Sequence, residues 1–191
     1  MSEVHIIGAG GFGREVLQYV RDLRAAGRDL TPAGFVDDAR RPDVCGLPVV
    51  RLEELSPSPD RLFIVAVGDP AARSRLATRA TERGCQFLTL VHPLAYVAPS
   101  AELGAGCLVS PFAFVGPSAR IGDHVALNVH ATADHDTSLG AFSYLAPYAC
   151  VGGGATLEER VALGAHSSVA TGATVSAGER VAPGVHVSRA A

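Results

Sequence analysis

The residues best suited to acid-base chemistry lie in one short segment, Ala133-Asp134-His135-Asp136-Thr137. The sequence around this segment is otherwise poor in charge, so three consecutive ionisable side chains stand out. A histidine flanked by carboxylates can be held in one tautomer and kept basic near neutral pH, as a general base must be. We therefore predict that His135 is catalytic; an inert surface histidine is the alternative.

A second candidate site is the glycine pattern Gly8-Ala9-Gly10-Gly11-Phe12-Gly13, which matches G-x-G-x-x-G. It follows an apolar strand predicted over residues 4–7 and precedes a helix predicted over 15–26, whose N-terminus would offer unpaired N–H groups to a phosphate. A complete dinucleotide fold needs two βαβαβ halves, and only one fits before the chain changes character. The pattern therefore favours a nucleotide diphosphate held by Gly10, Gly11 and Gly13 over NAD, and a purely structural turn is the alternative.

The segments around this loop predict a small parallel sheet. Further strands are predicted over residues 33–36, 62–67 and 87–90. A second helix begins after Asp69, which is placed to cap it, with Pro70 in its first position. Because strands alternate with helices, the sequence predicts an α/β, Rossmann-like half-domain over residues 1–90.

Residues at the ends of two of these strands extend the predicted substrate site. Asp37 and Asp38 follow the second strand and could accept hydrogen bonds from a ribose or a base edge. A strand-end turn would also explain these two carboxylates. Gly68, after the third strand, completes the predicted substrate-binding set.

The second half of the chain carries a repeat. From residue 91 an aliphatic residue returns at every sixth position up to Val187, interrupted once by Ala133. This period matches neither the 3.6 residues of a helix nor an ordinary strand and turn, but it is the signature of a parallel β-helix. One hexapeptide buries too little for a core, so the core forms only when coils stack at about 4.8 Å. We therefore predict an all-β domain over residues 91–191, with its chemistry where the repeat weakens beside His135.

Composition excludes several classes of partner. A net charge of −3 and a pI near 6.1 argue against nucleic acid and anionic membranes. No apolar run approaches the roughly 18 residues needed to span a bilayer, and the first residues show no signal-peptide pattern. The cysteines are scattered without metal-type spacing, so we predict a cytoplasmic protein with reduced thiols and no metal.

The order of these motifs resembles the PglD/NeuD type of bacterial sugar acetyltransferase over nearly the whole chain. The segments that carry the resemblance, besides the glycine-rich turn and the hexapeptides, are Gly34-Phe35-Val36-Asp37-Asp38, Val65-Ala66-Val67-Gly68-Asp69, Val91-His92-Pro93 and His135-Asp136. The resemblance implies a left-handed β-helix, a homotrimer and an N-terminal nucleotide-sugar domain. It also implies transfer of acetyl from acetyl-CoA to an amino or hydroxyl group of a sugar, in polysaccharide or glycan biosynthesis.

The resemblance also implies roles for individual residues. His135 would be the base and Asp136 the acid that orients it. Gly153 comes 18 residues after His135, one coil further along the same wall, so its N–H could donate to the thioester oxygen as an oxyanion donor. The cofactor would extend between two subunits beside small residues, for which tight coil packing is the alternative explanation: Gly153, Gly154, Ala165 and Gly172.

One position departs from the family pattern. Many relatives carry a second histidine nine residues after the base, where this chain has Tyr144. A phenol can donate a hydrogen bond to the thioester carbonyl or the pantetheine arm, but it cannot take the histidine's part in proton transfer at neutral pH. The resemblance thus implies a retained base with an altered neighbour.

We predict an acetyl-CoA-dependent N-acetyltransferase acting on a UDP- or TDP-linked 4-amino-4,6-dideoxy sugar. O-acetylation of a sialic or capsular sugar is the sister alternative, since the same fold supports both. A non-catalytic nucleotide-sugar sensor is another. A zinc enzyme similar to the γ-class carbonic anhydrases is a third, because His130 and His135 are five residues apart, although no third ligand presents itself.

Overall fold

The computed structural model describes residues 1–39 and 43–188. Its first half contains nine elements: β1 (Ser2–Ile7), α1 (Gly11–Ala25), β2 (Leu30–Val36), β3 (Asp43–Val44), β4 (Leu47–Val50), a 3-10 turn (Leu52–Glu54), β5 (Arg61–Val65), α2 (Pro70–Glu82) and β6 (Gln86–Phe87). The sheet order is β3-β4-β2-β1-β5-β6. Every pairing in it is parallel except that of β3 with β4. The predicted Rossmann-like half-domain is confirmed.

The boundaries of these elements follow local chemistry. Asp69 accepts a hydrogen bond from the Ala72 amide at 2.8 Å and Pro70 occupies the first turn, as predicted. Helix α1 begins at Gly11, four residues earlier than predicted, because its N-terminus is built from the glycine-rich turn itself. Strands β3 and β4 were not predicted; each is short and lacks a clear alternation of apolar and polar residues.

The second half is a triangular prism of two-residue strands, which confirms the predicted parallel β-helix. Face 1 contains β7 (Leu90–Val91), β10 (Leu108–Val109), β13 (Ala126–Leu127), β16 (Tyr144–Leu145), β19 (Ala162–Leu163) and β22 (Arg180–Val181). Face 2 contains β8 (Tyr96–Val97), β11 (Phe114–Val115), β14 (Thr132–Ala133), β17 (Cys150–Val151), β20 (Ser168–Val169) and β23 (His186–Val187). Face 3 contains β9 (Glu102–Leu103), β12 (Arg120–Ile121), β15 (Ser138–Leu139), β18 (Thr156–Leu157) and β21 (Thr174–Val175).

The aliphatic repeat forms the interior of this prism. In each strand the second residue points inward, so that anchors such as Leu127, Leu145 and Leu163 of face 1 are buried one above another. Burying each such side chain contributes about 1.5–3 kcal/mol. Ala133 is also fully buried, so this position of the repeat still points inward although alanine replaces the aliphatic anchor there.

The N-terminal half packs against face 1. Three outward residues of that face, Leu90, Leu108 and Ala126, are buried in the same apolar cluster as Val4 and Leu17. Faces 2 and 3, and the corner between them, lie away from this contact. The prism therefore has one covered face and one uncovered corner opposite it. The division into domains 1–90 and 91–191 stays a prediction, and residues 40–42 and 189–191 within these ranges lie outside the described residues.

Candidate active site

His135 lies on the uncovered corner between faces 2 and 3, after β14 and before β15. The corner is held by its own hydrogen bonds: the Asp134 carboxylate accepts from the His135 amide at 3.0 Å, and the Thr137 hydroxyl donates to the Asp134 carbonyl at 2.9 Å. Asp136 takes a φ of 58°, a left-handed conformation that aspartate tolerates better than most residues. The segment identified in the sequence is thus a closed turn with its side chains outside the prism.

The imidazole of His135 is paired with the adjacent carboxylate. Its Nδ1 atom is 2.8 Å from Oδ2 of Asp136, and both side chains are more than half exposed. The hydrogen bond to Asp136 raises the pKa of His135 above its ordinary value, and the negative charge of Asp134 adds to this effect. When Nδ1 carries the shared proton, Nε2 presents a lone pair, which is the arrangement of a general base.

The free edge of this ring lies directly over Gly153, one coil further along. A Cβ atom built on Gly153 would lie 2.5 Å from Nε2 of His135, closer than any real contact, so only glycine leaves room for the ring in this position. The Gly154 amide donates to the His135 carbonyl at 2.9 Å, and the Gly172 amide donates to the Gly153 carbonyl at 3.0 Å. Within the described part of the chain the Gly153 N–H has no hydrogen-bond partner. A basic nitrogen and an unpaired amide donor therefore share one corner.

The residues predicted to line the cofactor do not all lie together. Gly153, Gly154 and Gly172 occupy the same corner as His135, one and two coils further along. Ala165 lies at the corner between faces 1 and 2, and Tyr144 lies on face 1. Within a single chain these two residues are thus on other sides of the prism from the imidazole.

The glycine-rich turn forms an open concave surface at the start of α1. A Cβ atom on Gly13 would lie 1.9 Å from the Gly8 carbonyl oxygen, so glycine is needed for the close approach of helix and strand. Gly10 and Gly11 have open space around them and line a cavity of about 460 Å³ together with Arg14. Arg14 was not singled out in the sequence, although its place one turn into the helix after the glycines could have indicated a cation for a phosphate.

A second cavity, of about 280 Å³, lies at the ends of β1, β2 and β5 and is lined by both predicted carboxylates. Asp37 accepts hydrogen bonds from the amides of Ala9 and Ala39, each at 2.9 Å, so it holds the glycine-rich turn. Asp38 forms an ion pair with Arg79 at 3.0 Å. Arg79 was also missed in the sequence, because its place in this cavity depends on how α2 packs against the sheet.

Tyr144 and Gly68 meet in a third cavity, of about 490 Å³, between the β5–α2 turn and face 1. The Tyr144 hydroxyl accepts a hydrogen bond from the Asn128 side-chain amide at 2.9 Å. Across the mouth of this cavity Arg180 forms an ion pair with Asp69. Two residues predicted separately, one in each half of the chain, are thereby brought to a single surface.

The histidine pair considered as zinc ligands is separated. His130 lies at the corner between faces 1 and 2, stacked between the rings of Phe112 and Tyr148 at centroid distances of 5.0 and 4.7 Å. His135 lies at the next corner. Among residues 1–39 and 43–188, no three His, Cys, Asp or Glu side chains are grouped so as to hold a metal ion. The same residues include no helix with the length and apolar character that crossing a membrane requires.

Comparison with known proteins agrees with this fold. The family model of the PglD N-terminal domain matches residues 3–80. A UDP-N-acetylbacillosamine N-acetyltransferase from Bacillus subtilis is 35% identical over 112 residues, which cover 56% of this chain. The match covers 50% of that protein, so the chain spans about half the length of this curated relative.

Two solved structures match almost the entire chain. The acetyltransferase domain of PglB from Neisseria gonorrhoeae is 31% identical with a TM-score of 0.89, over 99% of this chain and 92% of that one. PerB from Caulobacter crescentus, solved in complex with CoA and GDP-perosamine, is 35% identical with a TM-score of 0.86, over 99% of this chain and 90% of that one. These matches agree in fold with the β-helix and N-terminal half-domain described above, and they support the predicted left-handed form of the β-helix.

Proposed function

We propose that this chain, which belongs to the family of PglD/NeuD-type bacterial sugar acetyltransferases, transfers acetyl from acetyl-CoA to the amino group of a nucleotide-linked 4-amino-4,6-dideoxy sugar. The observation that carries the proposal is the position of the His135 ring, paired with Asp136 and lying over the free amide of Gly153. A base and an oxyanion donor a few ångströms apart are what acyl transfer to an amine requires. Two relatives, a UDP-N-acetylbacillosamine N-acetyltransferase and a protein solved in complex with CoA and GDP-perosamine, support the same chemistry.

In the proposed reaction the acceptor amine attacks the acetyl carbonyl while Nε2 of His135 removes its proton. The Asp136 carboxylate stabilises the imidazolium that forms. The Gly153 N–H donates a hydrogen bond to the developing oxyanion. The carbon–sulfur bond then breaks, and the CoA thiolate leaves. No side chain is acylated, and no metal takes part.

The acceptor is held, in this proposal, by the N-terminal half. Gly10, Gly11 and Arg14 would bind the diphosphate, and the cavity beside Asp37 would bind the ribose and the base. A UDP- or TDP-linked sugar remains the proposed substrate.

The position of the two sites supports a reaction site shared between copies, and the homotrimer that the family resemblance implies would provide one. The N-terminal half covers face 1, whereas His135 lies at the corner opposite that face. A sugar nucleotide held by one chain is therefore on the far side of the prism from that chain's own imidazole. We propose that the acetyl-CoA cleft is shared by neighbouring copies, so that one copy supplies the base and the next supplies the sugar.

The test is release of CoA thiol from acetyl-CoA in the presence of UDP-, TDP- and GDP-linked 4-amino sugars. We expect turnover with at least one of these, and His135→Ala to lower kcat by about 10²-fold or more while acetyl-CoA still binds. His166→Ala, at another exposed corner, is the matched control and should retain activity. Wild-type turnover in His135→Ala would remove this residue from the reaction. Binding of the sugar nucleotide without any thiol release would indicate a sensor instead.

A further inference from the structure

The largest fully buried side chain in the described residues belongs to an arginine. Arg73 lies in the first turn of α2 and is 1% exposed. No carboxylate of residues 1–39 and 43–188 forms an ion pair with it. Burial lowers the pKa of Arg73 to about 10, so it remains charged at neutral pH. Burying a cation without a counter-ion is costly, and an apolar side chain of similar volume would often be more stable.

The guanidinium is held by backbone carbonyls from both halves of the chain. Nη1 donates to the Val67 carbonyl at 2.7 Å, in the turn between β5 and α2. Nη2 donates to the carbonyls of Phe142 and Ser143 at 2.7 and 3.0 Å, in the corner that precedes β16. The planar fork of arginine reaches acceptors in two directions at once, which an ammonium group cannot do with the same geometry.

These carbonyls are adjacent in sequence to two walls of the 490 Å³ cavity. Gly68 follows Val67, and Tyr144 follows Ser143; both line this cavity. The guanidinium carbon of Arg73 also lies 5.6 Å from the centre of the Tyr144 ring. A Cβ atom on Gly68 would lie 3.7 Å from that ring, so the two walls are already in near contact. A small change in their separation would change the shape of the cavity.

The same ring connects the cavity to the glycine-rich turn. Phe12 meets Tyr144 edge to face at a centroid distance of 6.2 Å. The cavity therefore adjoins the place where the diphosphate is proposed to bind, and it is the next surface that the sugar end of the substrate would meet.

We propose that Arg73 is a positioning residue, which fixes the separation of Gly68 and Tyr144 and so shapes the surface that receives the sugar end of the nucleotide substrate. This role rests on the proposed function of the chain. Arg73 does not itself touch the reacting atoms. It acts through the β5–α2 turn and the corner before β16.

The kinetic test uses two variants. Arg73→Met removes the charge and all three hydrogen bonds, whereas Arg73→Lys keeps the charge but loses the planar guanidinium group. For Arg73→Met we expect KM for the nucleotide sugar to rise by about tenfold or more, because displaced walls lose contacts to the bound sugar. A tenfold change in affinity corresponds to about 1.4 kcal/mol, about the contribution of one hydrogen bond. KM for acetyl-CoA should stay within about twofold. Arg73→Lys should give an intermediate value. Arg75→Met, on the exposed side of the same helix, is the control and should match the wild type.

Amide hydrogen exchange supplies a readout that does not depend on activity. We expect Arg73→Met to speed exchange in peptides covering residues 66–69 and 140–145, with partial recovery in Arg73→Lys. If the wild type lacks transferase activity but Arg73→Met speeds exchange in these peptides, the proposed function fails. The role of Arg73 in holding the β5–α2 turn against the corner before β16 then stands. If KM for the sugar nucleotide does not change, or if both KM values rise together, the positioning role is wrong. Should Arg73→Met fail to fold, the Arg73→Lys values decide.

Discussion

Replacing Gly153 with alanine is expected to disable transfer by moving the His135 ring, without unfolding the protein. The added Cβ would lie 2.5 Å from Nε2 and 2.6 Å from Cε1 of that ring. Gly153 does not have a positive φ, so its backbone accepts alanine without strain. The imidazole is the exposed end of a flexible side chain and can turn away at little cost. The perturbation is therefore confined to the proposed base and its neighbours.

The size of the effect follows from that distance. Non-bonded carbon and nitrogen atoms settle at about 3.5 Å, so the ring must retreat by about 1 Å. Such a displacement in a reacting group lowers the rate by about 10²-fold, which corresponds to about 2.7 kcal/mol in the barrier. The melting temperature should stay close to that of the wild type. The retreat also strains the hydrogen bond to Asp136, so the pKa of His135 should move back toward its ordinary value.

The assay is kcat from thiol release, with the melting temperature and the NMR titration of His135 measured on the same samples. Gly178→Ala is the control, because it adds a methyl group to open space at a φ of +74° and so strains the backbone away from the corner. It should lower stability by about 1 kcal/mol and leave kcat unchanged. A Gly153→Ala protein that keeps the wild-type kcat would refute the reasoning, since the ring could then move without consequence.

Two further variants test the electrostatics. Asp136→Asn removes the main group that raises the pKa of His135. The acidic limb of the plot of kcat/KM against pH should therefore move to lower pH, and kcat should fall by about tenfold or more. If the acidic limb does not move, the pairing of His135 with Asp136 is wrong. His124 is buried beside Phe87 and Phe142, and burial lowers its pKa. The unfolded chain therefore takes up the proton first, and the stability present above about pH 6.5 declines as the pH falls below that value. His124→Phe should flatten the fall in melting temperature between pH 7 and pH 5, and a slope equal to that of the wild type would show that His124 is not responsible.

The prism could be predicted from the sequence because a six-residue repeat of this kind is compatible with one architecture, a stack of β-helix coils. Each hexapeptide has a single aliphatic anchor, so only stacking brings Val115 over Ala133 and Ala133 over Val151. The same arithmetic placed Gly153 beside His135, since both occupy one corner of successive coils. Local chemistry also sufficed for Asp69 and Pro70, whose roles at the start of α2 depend only on their immediate neighbours.

The parts that escaped prediction depend on contacts between distant segments. Arg73 reads in the sequence as one of several arginines on a helix, and only the packing of the N-terminal half on face 1 buries it. The same packing brings Tyr144 to Gly68, although they were assigned to separate sites. Arg79 reaches Asp38 for a similar reason. A single sequence contains no local signal for such pairings. Arg79 is placed by the packing of α2 on the sheet, and Arg73 and Tyr144 by the packing of the two halves of the chain against each other.

The constant offset between paired strands limits how such chains can vary in length during evolution. Leu108 pairs with Ala126, and Ala126 with Tyr144, each 18 residues later. Duplicating one full turn beyond the glycines of the catalytic corner would make a taller molecule with every column of side chains still aligned. A turn inserted between His92 and Phe142 would instead separate two coils that the N-terminal half contacts together. Duplicating a lone hexapeptide would carry all later residues to another side. A full turn gained between His135 and Gly153 would move the imidazole away from the Gly153 amide, so the chain can lengthen beyond this corner but not within it.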